Sequence, residues 1–387
     1  MLKRNNLNPE SNLRILFFIT IMMNSRYKRI AVKVGSNVLT RADGTLDIAR
    51  MAQLADQIAR LKKEGIEIVL VSSGAVAAGR SEVHPKNKLD TVSSRQLWSA
   101  IGQVRLINRY YDLFSEYGII CAQVLTTKDN FRDRRHYLNM KNCLNTLLEN
   151  NVLPIINEND TISVTELMFT DNDELSGLIA TMMDFEALII LSNVDGIFTD
   201  HPNNPDAKVI REVQPDTSDL SDYIRTAKSE FGRGGMITKT NIARKIADQG
   251  IHVHIANGKS DNILIDLLDT TADVLNTHFV PNDKRSSSIK KWLAHSDSFT
   301  KGELLINDGA REALLSDKAS SLLLIGVTDV KGFFKKGDII KIIDQQGEEI
   351  GLGKTLYDSE KARELTGKKK KQPIIHYDHL YLFESNT

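Results

Sequence analysis

The sequence predicts an α/β fold with a mainly parallel central sheet, followed by a small β-rich domain. Between residues 30 and 256, short apolar runs alternate with amphipathic helical patterns, an order typical of parallel βα units. Several of these runs end in polar loops that contain glycine. After residue 300 the pattern changes to short strands and turns, and 387 residues are enough for two globular domains with sizeable cores.

The predicted strands of the first domain are almost continuously apolar, as expected for strands buried in a parallel sheet. They lie at Ile30–Val34, Ile66–Val71, Ile119–Leu125, Leu153–Ile156, Leu188–Leu191 and Ile251–Ala256. Helices are predicted at Leu46–Lys63, Ser93–Tyr117, Arg132–Asn150, Leu175–Met183 and Ile237–Asp248. In the second domain, strands are predicted at Glu303–Ile306, Leu322–Val327, Asp338–Ile343 and Pro373–Leu382. The predicted domains are therefore 24–276 and 301–384, joined by a linker at 277–300.

The first 23 residues combine three basic side chains with a short apolar run, Ile15–Met23. That run is too short to span a membrane, and no small-residue cleavage site of a secretory signal follows it. We interpret residues 1–23 as an unstructured extension and expect translation to begin at Met22 or Met23.

The overall charge and the cysteine content restrict the function classes. Fifty basic and fifty acidic residues give a formal net charge of zero, so no whole-chain field favours nucleic acid or an anionic membrane. The two cysteines, Cys121 and Cys143, form neither a disulfide framework nor a metal-binding motif. We therefore expect a cytoplasmic protein.

Two acidic clusters bracket one loop of the first domain. Asn157–Asp160 follows a predicted strand, and Asp171–Asp173 precedes a predicted helix. Ligands of open α/β sheets bind at the carboxyl ends of strands. A strand exit and a helix cap would account for part of the pattern. Capping does not require four carboxylates and three asparagine amides in two short segments.

Lysines and small-residue loops surround this acidic loop in the predicted sheet. Lys33 lies inside the first strand, where a charge is costly unless an anion pairs with it or the side chain reaches water at a sheet edge. Gly35-Ser36-Asn37 follows it, and such a turn lets backbone N–H groups approach a phosphate. Ser72-Ser73-Gly74 offers similar donors, although a tight turn explains that glycine equally well.

Phosphoryl transfer needs this set of groups, because cations and N–H donors stabilise the moving phosphoryl group. In order along the chain, the motifs resemble those of the glutamate 5-kinases within the amino acid kinase family. The motifs that carry the resemblance are Ala31–Thr40, Val71–Arg80, Ile155–Asp160, Asp171–Asp173 and Gly234–Lys239. The remainder is similar to a PUA domain, through Gly302-Glu303, Asp308–Ala310, Ser320–Leu323 and Gly337–Ile340.

The resemblance implies an α/β/α sandwich that phosphorylates the γ-carboxylate of L-glutamate with ATP, the first step of proline biosynthesis. Lys33 and Lys239 would neutralise the transferred phosphoryl group, and Asp173 would hold both lysines. Glutamate would be bound by three residues, Ser73, Asp160 and Asn172. The nucleotide would be bound by Lys33, Gly35, Ser36, Ser192, Asn193, Arg233, Gly234, Gly235, Met236, Ile237, Thr238 and Lys239. Mg²⁺ would arrive with ATP, without a metal site of the protein's own.

Further expectations follow from the same resemblance. Proline would act as feedback inhibitor, the chain would assemble as a dimer or tetramer, and the next enzyme of the pathway is a candidate partner. Three residues depart from the family pattern: Thr170, Asn193 and Arg233. Alternative acceptors are aspartate, N-acetylglutamate or UMP, and a catalytically inactive regulatory homologue is a further alternative.

RNA binding is not expected, although PUA domains occur in RNA-modifying enzymes. The main candidates for an RNA-binding surface are the lysine run at 368–371 and the pair Lys335-Lys336. RNA binding would need a basic face. The same domain also carries six acidic residues, namely Asp308, Asp338, Asp344, Glu348, Glu349 and Asp358.

Overall fold

The computed structural model describes residues 25–132, 134–163, 172–200, 204–215, 217, 235–282, 300–316, 320–370 and 372–383. These residues form two compact units that divide between residues 284 and 285, with residues 131–137 grouped with the second unit. The predicted extension, 1–23, and most of the predicted linker lie outside the described residues. Among the described residues, no helix combines the length and the apolar character that crossing a bilayer requires.

The first unit is built on an eight-stranded sheet with the strand order β3-β4-β2-β1-β5-β7-β8-β6. The strands are β1 (Arg29–Val34), β2 (Glu67–Ser72), β3 (Cys121–Thr126), β4 (Leu153–Glu158), β5 (Ala187–Ser192), β6 (Glu212–Val213), β7 (His252–Asn257) and β8 (Asn276–Phe279). The pair β7 and β8 is antiparallel, and the other described pairs are parallel. The predicted mainly parallel sheet is confirmed, and its last strand continues through Phe279, beyond the limit proposed at residue 276.

Nine described helices accompany this sheet along the chain. They are α1 (Ser36–Leu39), α2 (Ile48–Lys63), α3 (Ala75–Arg80), α4 (Thr91–Ser115), α5 (Asp129–Arg132), α6 (Arg134–Glu149), α7 (Asn172–Met182), α8 (Met236–Ala247) and α9 (Ile263–Leu268). All five helices predicted from sequence in this part of the chain are present. The short helices α1 and α3 follow the Gly35 and Gly74 turns, where the sequence indicated only loops that could bind an anion.

The two faces of the sheet are covered by different helices. Val32 and Val34 of β1 pack into one core with residues of α2, α4 and α9. Side chains alternate between the faces of a strand, so Lys33 points to the opposite face. On that face α7 packs against β1 and β5, and α8 packs against α7 and β7. The result is the expected three-layer sandwich, and it places Lys33 beneath α7.

Two glycines allow α3 and α4 to pack closely beside the end of β2. A Cβ added at Gly102 would lie 1.8 Å from the carbonyl oxygen of Ala75, and one added at Gly79 would lie 1.8 Å from that of Trp98. Glycine inside a helix costs about 1 kcal/mol relative to alanine. The close approach therefore explains both glycines, and it brings the N-terminal half of α4 to the carboxyl end of the sheet.

A buried polar cluster around His254 connects Tyr27, which lies just before β1, to β7 and β8. His254 is hydrogen-bonded through Nε2 to the Tyr27 hydroxyl, 2.9 Å away, and through Nδ1 to Asn276 Oδ1, 3.0 Å away. Burial and the neighbouring His278 lower the pKa of His254 to about 3. Both ring nitrogens are thus bonded within the protein, which favours a structural role for this histidine over metal ligation.

The second unit has a five-stranded sheet with the order β10-β9-β11-β12-β13. Its elements are β9 (Gly302–Ile306), α10 (Asp308–Leu315), β10 (Val327–Gly332), β11 (Ile339–Ile343), β12 (Glu349–Thr355), α11 (Ser359–Leu365) and β13 (Ile375–Leu382). Its core contains Leu304, Phe334 and Ile342 from the sheet region with Ala362 from α11. The predicted small β-rich domain is confirmed.

The strand predicted at Leu322–Val327 is wrong. Leu322 forms a single bridge to Ile375, Leu324–Gly326 is a turn of 3₁₀ helix, and β10 begins only at Val327. A short apolar run cannot distinguish a strand from another buried segment. Here a Cβ at Gly326 would lie 2.5 Å from the Cβ of Ala310, so the close approach of α10 accompanies the tight turn.

Candidate active site

One carboxylate holds two lysines at the carboxyl end of β1. Asp173, in the first turn of α7, lies with Oδ1 2.5 Å from Lys33 Nζ and with Oδ2 2.6 Å from Lys239 Nζ. Lys33 comes from β1 and Lys239 from the first turn of α8, so three separate elements meet. Burial excludes solvent from Asp173 and leaves Lys33 only 4% exposed. The predicted catalytic trio is therefore assembled, with a formal charge of +1.

The two lysines determine the ionisation of Asp173. Burial alone would raise its pKa, because a buried carboxylate loses its hydration. The charges of Lys33 and Lys239 and their hydrogen bonds outweigh this effect and lower the pKa of Asp173 to about 2. Asp173 is thus an anion near neutral pH, and it can orient both ammonium groups but cannot serve as a base.

The turn after β1 brings the backbone at Gly35 directly beside Lys33. Gly35 donates its N–H to the carbonyl oxygen of Leu191 in β5, at 3.0 Å, which ties the turn to the next strand. A Cβ at Gly35 would lie 3.1 Å from that oxygen and 3.5 Å from Lys33 Nζ. The first N–H groups of α1, which begins at the exposed Ser36, have no acceptor inside the helix. This cradle suits an anion such as a phosphate.

The predicted nucleotide residues after β5 lie next to this cradle. Ser192 is buried at the end of β5, and its hydroxyl is 3.5 Å from Asn193 Oδ1. The carbonyl oxygen of Ser192 accepts a hydrogen bond from the N–H of Gly258, at 2.8 Å. Because β5 pairs with β1 on one side and with β7 on the other, Ser192 and Gly35 end adjacent strands.

The second glycine-containing loop is described only in part. Gly235 is the N-cap of α8, and Met236, Ile237 and Thr238 form its first turn ahead of Lys239. No side-chain hydrogen bond caps this helix within the described residues. Arg233 and Gly234 lie outside the described residues, as do Thr170 and Asp171. The structure thus brings Lys239 to the site, while the roles of Arg233 and Gly234 stay predictions.

An amide network orders the residues predicted to bind the amino acid substrate. Asn172 Nδ2 lies 3.0 Å from Ser73 Oγ, 3.1 Å from the carbonyl oxygen of Ser72 and 3.0 Å from Asn157 Oδ1. Asn157 Oδ1 also accepts from the backbone N–H of Glu158, at 2.9 Å, which fixes the orientation of the Asn157 amide. Asn172 therefore turns its NH₂ group to the network and its carbonyl oxygen away from it.

An arginine that the sequence analysis did not single out holds the acidic residues after β4. Arg95 Nε is 2.7 Å from Asp160 Oδ1, and Arg95 Nη2 is 2.6 Å from the same oxygen and 3.1 Å from Glu158 Oε2. Burial raises the pKa of Asp160 even though Arg95 opposes the shift. This second cluster has one cation and two carboxylates, so its formal charge is −1.

Two further side-chain hydrogen bonds at strand ends involve residues that the sequence analysis did not single out, and only the first of them belongs to the amide network. Gln103 of α4 accepts from Asn157 Nδ2 at 3.0 Å, and Asn257 at the end of β7 donates to Asp195 Oδ1 at 2.9 Å. A density of buried acids at Glu158 and Asp160 signals that a cation must be near, but nothing in the local pattern of α4 identifies Arg95. Among the described residues, no group of three or more His, Cys, Asp and Glu side chains is arranged to hold a metal ion.

The sequence profile of the amino acid kinase family, described as "Amino acid kinase family", matches residues 28–257 of this chain. The chain belongs to the amino acid kinase family. The match covers every residue of both clusters, and the protein is accordingly a kinase. This amino acid kinase also contains a PUA domain, whose profile matches residues 302–377.

Curated relatives resemble this amino acid kinase along nearly its whole length. A glutamate 5-kinase of Bacteroides thetaiotaomicron is 61% identical over 360 residues, which cover 93% of this chain and 100% of the relative. A glutamate 5-kinase of Chlorobaculum tepidum is 51% identical, covering 92% of this chain and 98% of its own. One of Dehalococcoides mccartyi is 39% identical over 89% of this chain and 93% of its own. The similarity thus includes both the kinase and the PUA regions.

Proposed function

We propose that this kinase transfers the γ-phosphoryl group of ATP to the γ-carboxylate of L-glutamate and forms L-glutamyl 5-phosphate. Relatives that share up to 61% identity over nearly the whole chain are glutamate 5-kinases, which supports this substrate. In this proposal Lys33, Lys239 and Asp173 form the catalytic group. Ser73, Asp160 and Asn172 bind glutamate.

The observation that carries the proposal is that the lysine cluster and the acidic cluster are connected through the amide network, because Asp173 follows Asn172 and Glu158 follows Asn157. Asp173 binds the two lysines, whereas its neighbour Asn172 binds Ser73 and Asn157 in the amide network. A substrate with an ammonium group at one end and a carboxylate at the other suits this arrangement. Its ammonium group is attracted by the acidic cluster at Asp160, and its reacting carboxylate extends toward the lysines.

The chemistry needs positioning and charge neutralisation rather than a base. A γ-carboxylate is ionised near neutral pH, so no proton has to be removed from the nucleophile. One of its oxygens forms a bond to the γ-phosphorus of ATP, while the bond from that phosphorus to the bridging oxygen breaks and its electron pair leaves with ADP. Lys33 and Lys239 stabilise the charge on the phosphoryl oxygens in the transition state.

The nucleotide-binding residues in this proposal are those around the cradle. The Lys33 ammonium group and the N–H groups of Ser36 and Asn37 at the start of α1 suit the phosphates, with Ser192, Asn193 and the first turn of α8 as the other nucleotide-binding residues. The carboxylate of Asp173 is already engaged by two lysines. Mg²⁺ therefore belongs to the substrate as MgATP, where it neutralises phosphate charge.

We further place this reaction at the start of proline biosynthesis in the cytoplasm, with L-proline as feedback inhibitor. The chain would act as a homodimer or homotetramer, and the enzyme that consumes the unstable acyl phosphate is its candidate partner. The partner is proposed because an acyl phosphate in water must be consumed promptly, and the inhibition because a pathway's first enzyme is a point of control. The oligomeric state is proposed from the resemblance to kinases of this family, and the location from the absence of a disulfide framework.

The test is glutamate-dependent release of ADP from MgATP, with hydroxylamine present to trap the acyl phosphate as a hydroxamate. Parallel reactions contain aspartate, N-acetylglutamate or UMP in place of glutamate, and a further set contains L-proline. We expect hydroxamate with glutamate and suppression of its formation by proline.

Each other result has a definite meaning. Turnover of a different acceptor with none of glutamate would overturn the substrate and retain the two lysines as catalytic groups. Full activity in the presence of proline would contradict the proposed feedback inhibition and leave the proposed reaction unaffected. No turnover of any acceptor would favour a regulatory homologue, and Asn193, which departs from the family pattern, would be the first residue to substitute.

A further inference from the structure

Arg95 connects α4 to both buried acids that follow β4. Its guanidinium lies 2.6 to 2.7 Å from Asp160 Oδ1 and 3.1 Å from Glu158 Oε2. The next residue, Gln96, donates to the carbonyl oxygen of Thr161 at 2.9 Å, so the same turn of α4 holds the loop on both sides of Asp160. Glu158 is 3% exposed and Asp160 is 8% exposed. The contacts are therefore shielded from water and defined in direction.

Arg95 contacts the two oxygens of Asp160 unequally, which suits a site for a ligand. Both of its contacts to Asp160 fall on Oδ1, which leaves Oδ2 as the oxygen able to face a cationic group. Arg95 divides its donors between the two carboxylates and does not enclose Asp160 completely. Two buried acids without any cation would repel each other and take up a proton, so the charge of Arg95 favours the anionic form of Asp160 that can meet an ammonium group.

We propose that Arg95 is a positioning residue that fixes the Asp160 carboxylate for the α-ammonium group of the amino acid substrate. This inference rests on the proposed function, because it takes Asp160 as the residue that binds that group. Arg95 acts through Asp160 and does not touch the reacting phosphoryl group. Its planar fork of donors is the feature that matters, because it orients a carboxylate in a way that a lysine ammonium does not.

The inference has a pH signature. Among the described residues, the charged groups that face Asp160 are Arg95 from α4 and, across the same guanidinium, Glu158 from β4. Burial raises the pKa of Asp160, and Arg95 opposes that increase. Without Arg95 the pKa of Asp160 rises further, so the anionic form that binds an ammonium group becomes scarcer as the pH falls. Loss of Arg95 should therefore impair glutamate binding most at low pH.

The experiment compares Arg95→Met and Arg95→Lys with the wild-type enzyme from about pH 6 to about pH 8.5. KM for glutamate, KM for ATP and kcat are measured at each pH. For Arg95→Met near neutral pH, we expect KM for glutamate to rise roughly 10-fold or more, with KM for ATP changed by less than about 3-fold. This deficit should shrink as the pH rises. Arg95→Lys should show a smaller increase, because it restores the charge but not the fork.

The matched control is Arg105→Met on the same helix, where Arg105 is exposed and paired with Glu82. It should leave both KM values unchanged at every pH. If Arg95→Met does not fold, Arg95→Lys carries the test through the same pH series. An increase in KM for glutamate that does not vary with pH would assign Arg95 a structural role and overturn the inference.

The result also separates this inference from the proposed function. Turnover of glutamate by the wild-type enzyme, with Arg95→Met equal to wild type in KM for glutamate, would overturn the inference alone. Absence of glutamate turnover in the wild-type enzyme would overturn the proposed function, and the positioning role for Arg95 with it.

Discussion

Asp173 and Asp160 are both buried aspartates near the carboxyl edge of the same sheet, yet their ionisation is shifted in opposite directions. Asp173 faces two lysines, and its pKa falls to about 2 in spite of burial. Asp160 shares one arginine with Glu158, and burial keeps its pKa raised. The number of cations available to each carboxylate decides which effect dominates.

This difference gives the two clusters different chemical uses. The Asp173 cluster has an excess positive charge, which attracts phosphate and stabilises the charge of a transferring phosphoryl group. The Asp160 cluster holds two buried carboxylates beside one arginine, and a carboxylate attracts an ammonium group. The two clusters are connected through the amide network, in which Asn172 and Asp173 are adjacent. Under the proposed function, each end of a zwitterionic substrate would bind at a different cluster.

Of the changes that test the difference between the two clusters, Asp173→Asn should have the largest effect, because it leaves two lysines without their shared anion. We expect turnover to fall roughly 10²-fold or more. The free energy of unfolding at neutral pH should fall by roughly 3 kcal/mol, the usual scale for removing one partner of a buried ion pair. Enzyme assays and denaturant unfolding check the two effects.

The pH dependence of stability tests the same residue independently. Because folding lowers the pKa of Asp173, its contribution to stability is complete above the unfolded value, about 3.9, and is lost as the pH falls toward about 2. Asp173→Asn should remove that part of the acid-induced loss. The exposed Asp112→Asn on α4 is the control and should keep the wild-type pH profile. Identical profiles for Asp173→Asn and the wild type would contradict the ionic state assigned to Asp173.

Lys239→Met tests the Asp173 cluster alone, because it removes one of the two cations there. We expect kcat to fall roughly 10²-fold, because one fixed donor to the transition state is lost. KM for glutamate should change little, since the ammonium end of the substrate is held elsewhere. Lys63→Met removes an exposed lysine that lies over the Tyr117 ring, and it should retain wild-type kcat. Near-normal turnover of Lys239→Met would refute a catalytic role for this lysine.

The sequence predicts the cationic cluster well because its chemistry is visible in local patterns. Lys33 inside an apolar strand is unusual on its own, so an anionic partner could be expected for it, and the dense acidic segments around Asp173 offered one. Arg95 has no such signal, since an arginine on an amphipathic helix is ordinary. Only the packing of α4 at Gly79 and Gly102 brings it to the acids after β4.

The fold shows the same division between local and tertiary information. Continuous apolar runs correctly predict the strands from β1 to β5, because buried parallel strands need them. At Leu322–Val327 an equally apolar run becomes a 3₁₀ turn, since contact between Gly326 and α10 decides the backbone there. The two-residue strand β6 is too short to produce a pattern at all.

Asp160→Ala should produce a smaller effect than the changes in the lysine cluster, and one confined to the amino acid. The variant loses a charge-assisted contact, which is worth about 1.5 to 3 kcal/mol and corresponds to an increase in KM for glutamate of roughly 10- to 10²-fold. Because Asp160 is proposed to bind the ammonium group and not the nucleotide, KM for ATP should stay within about 3-fold of wild type. Asp112→Ala serves as the exposed control. Weakened ATP binding with an unchanged KM for glutamate would reverse the assignment of the two clusters, and the charge of each would then need another explanation.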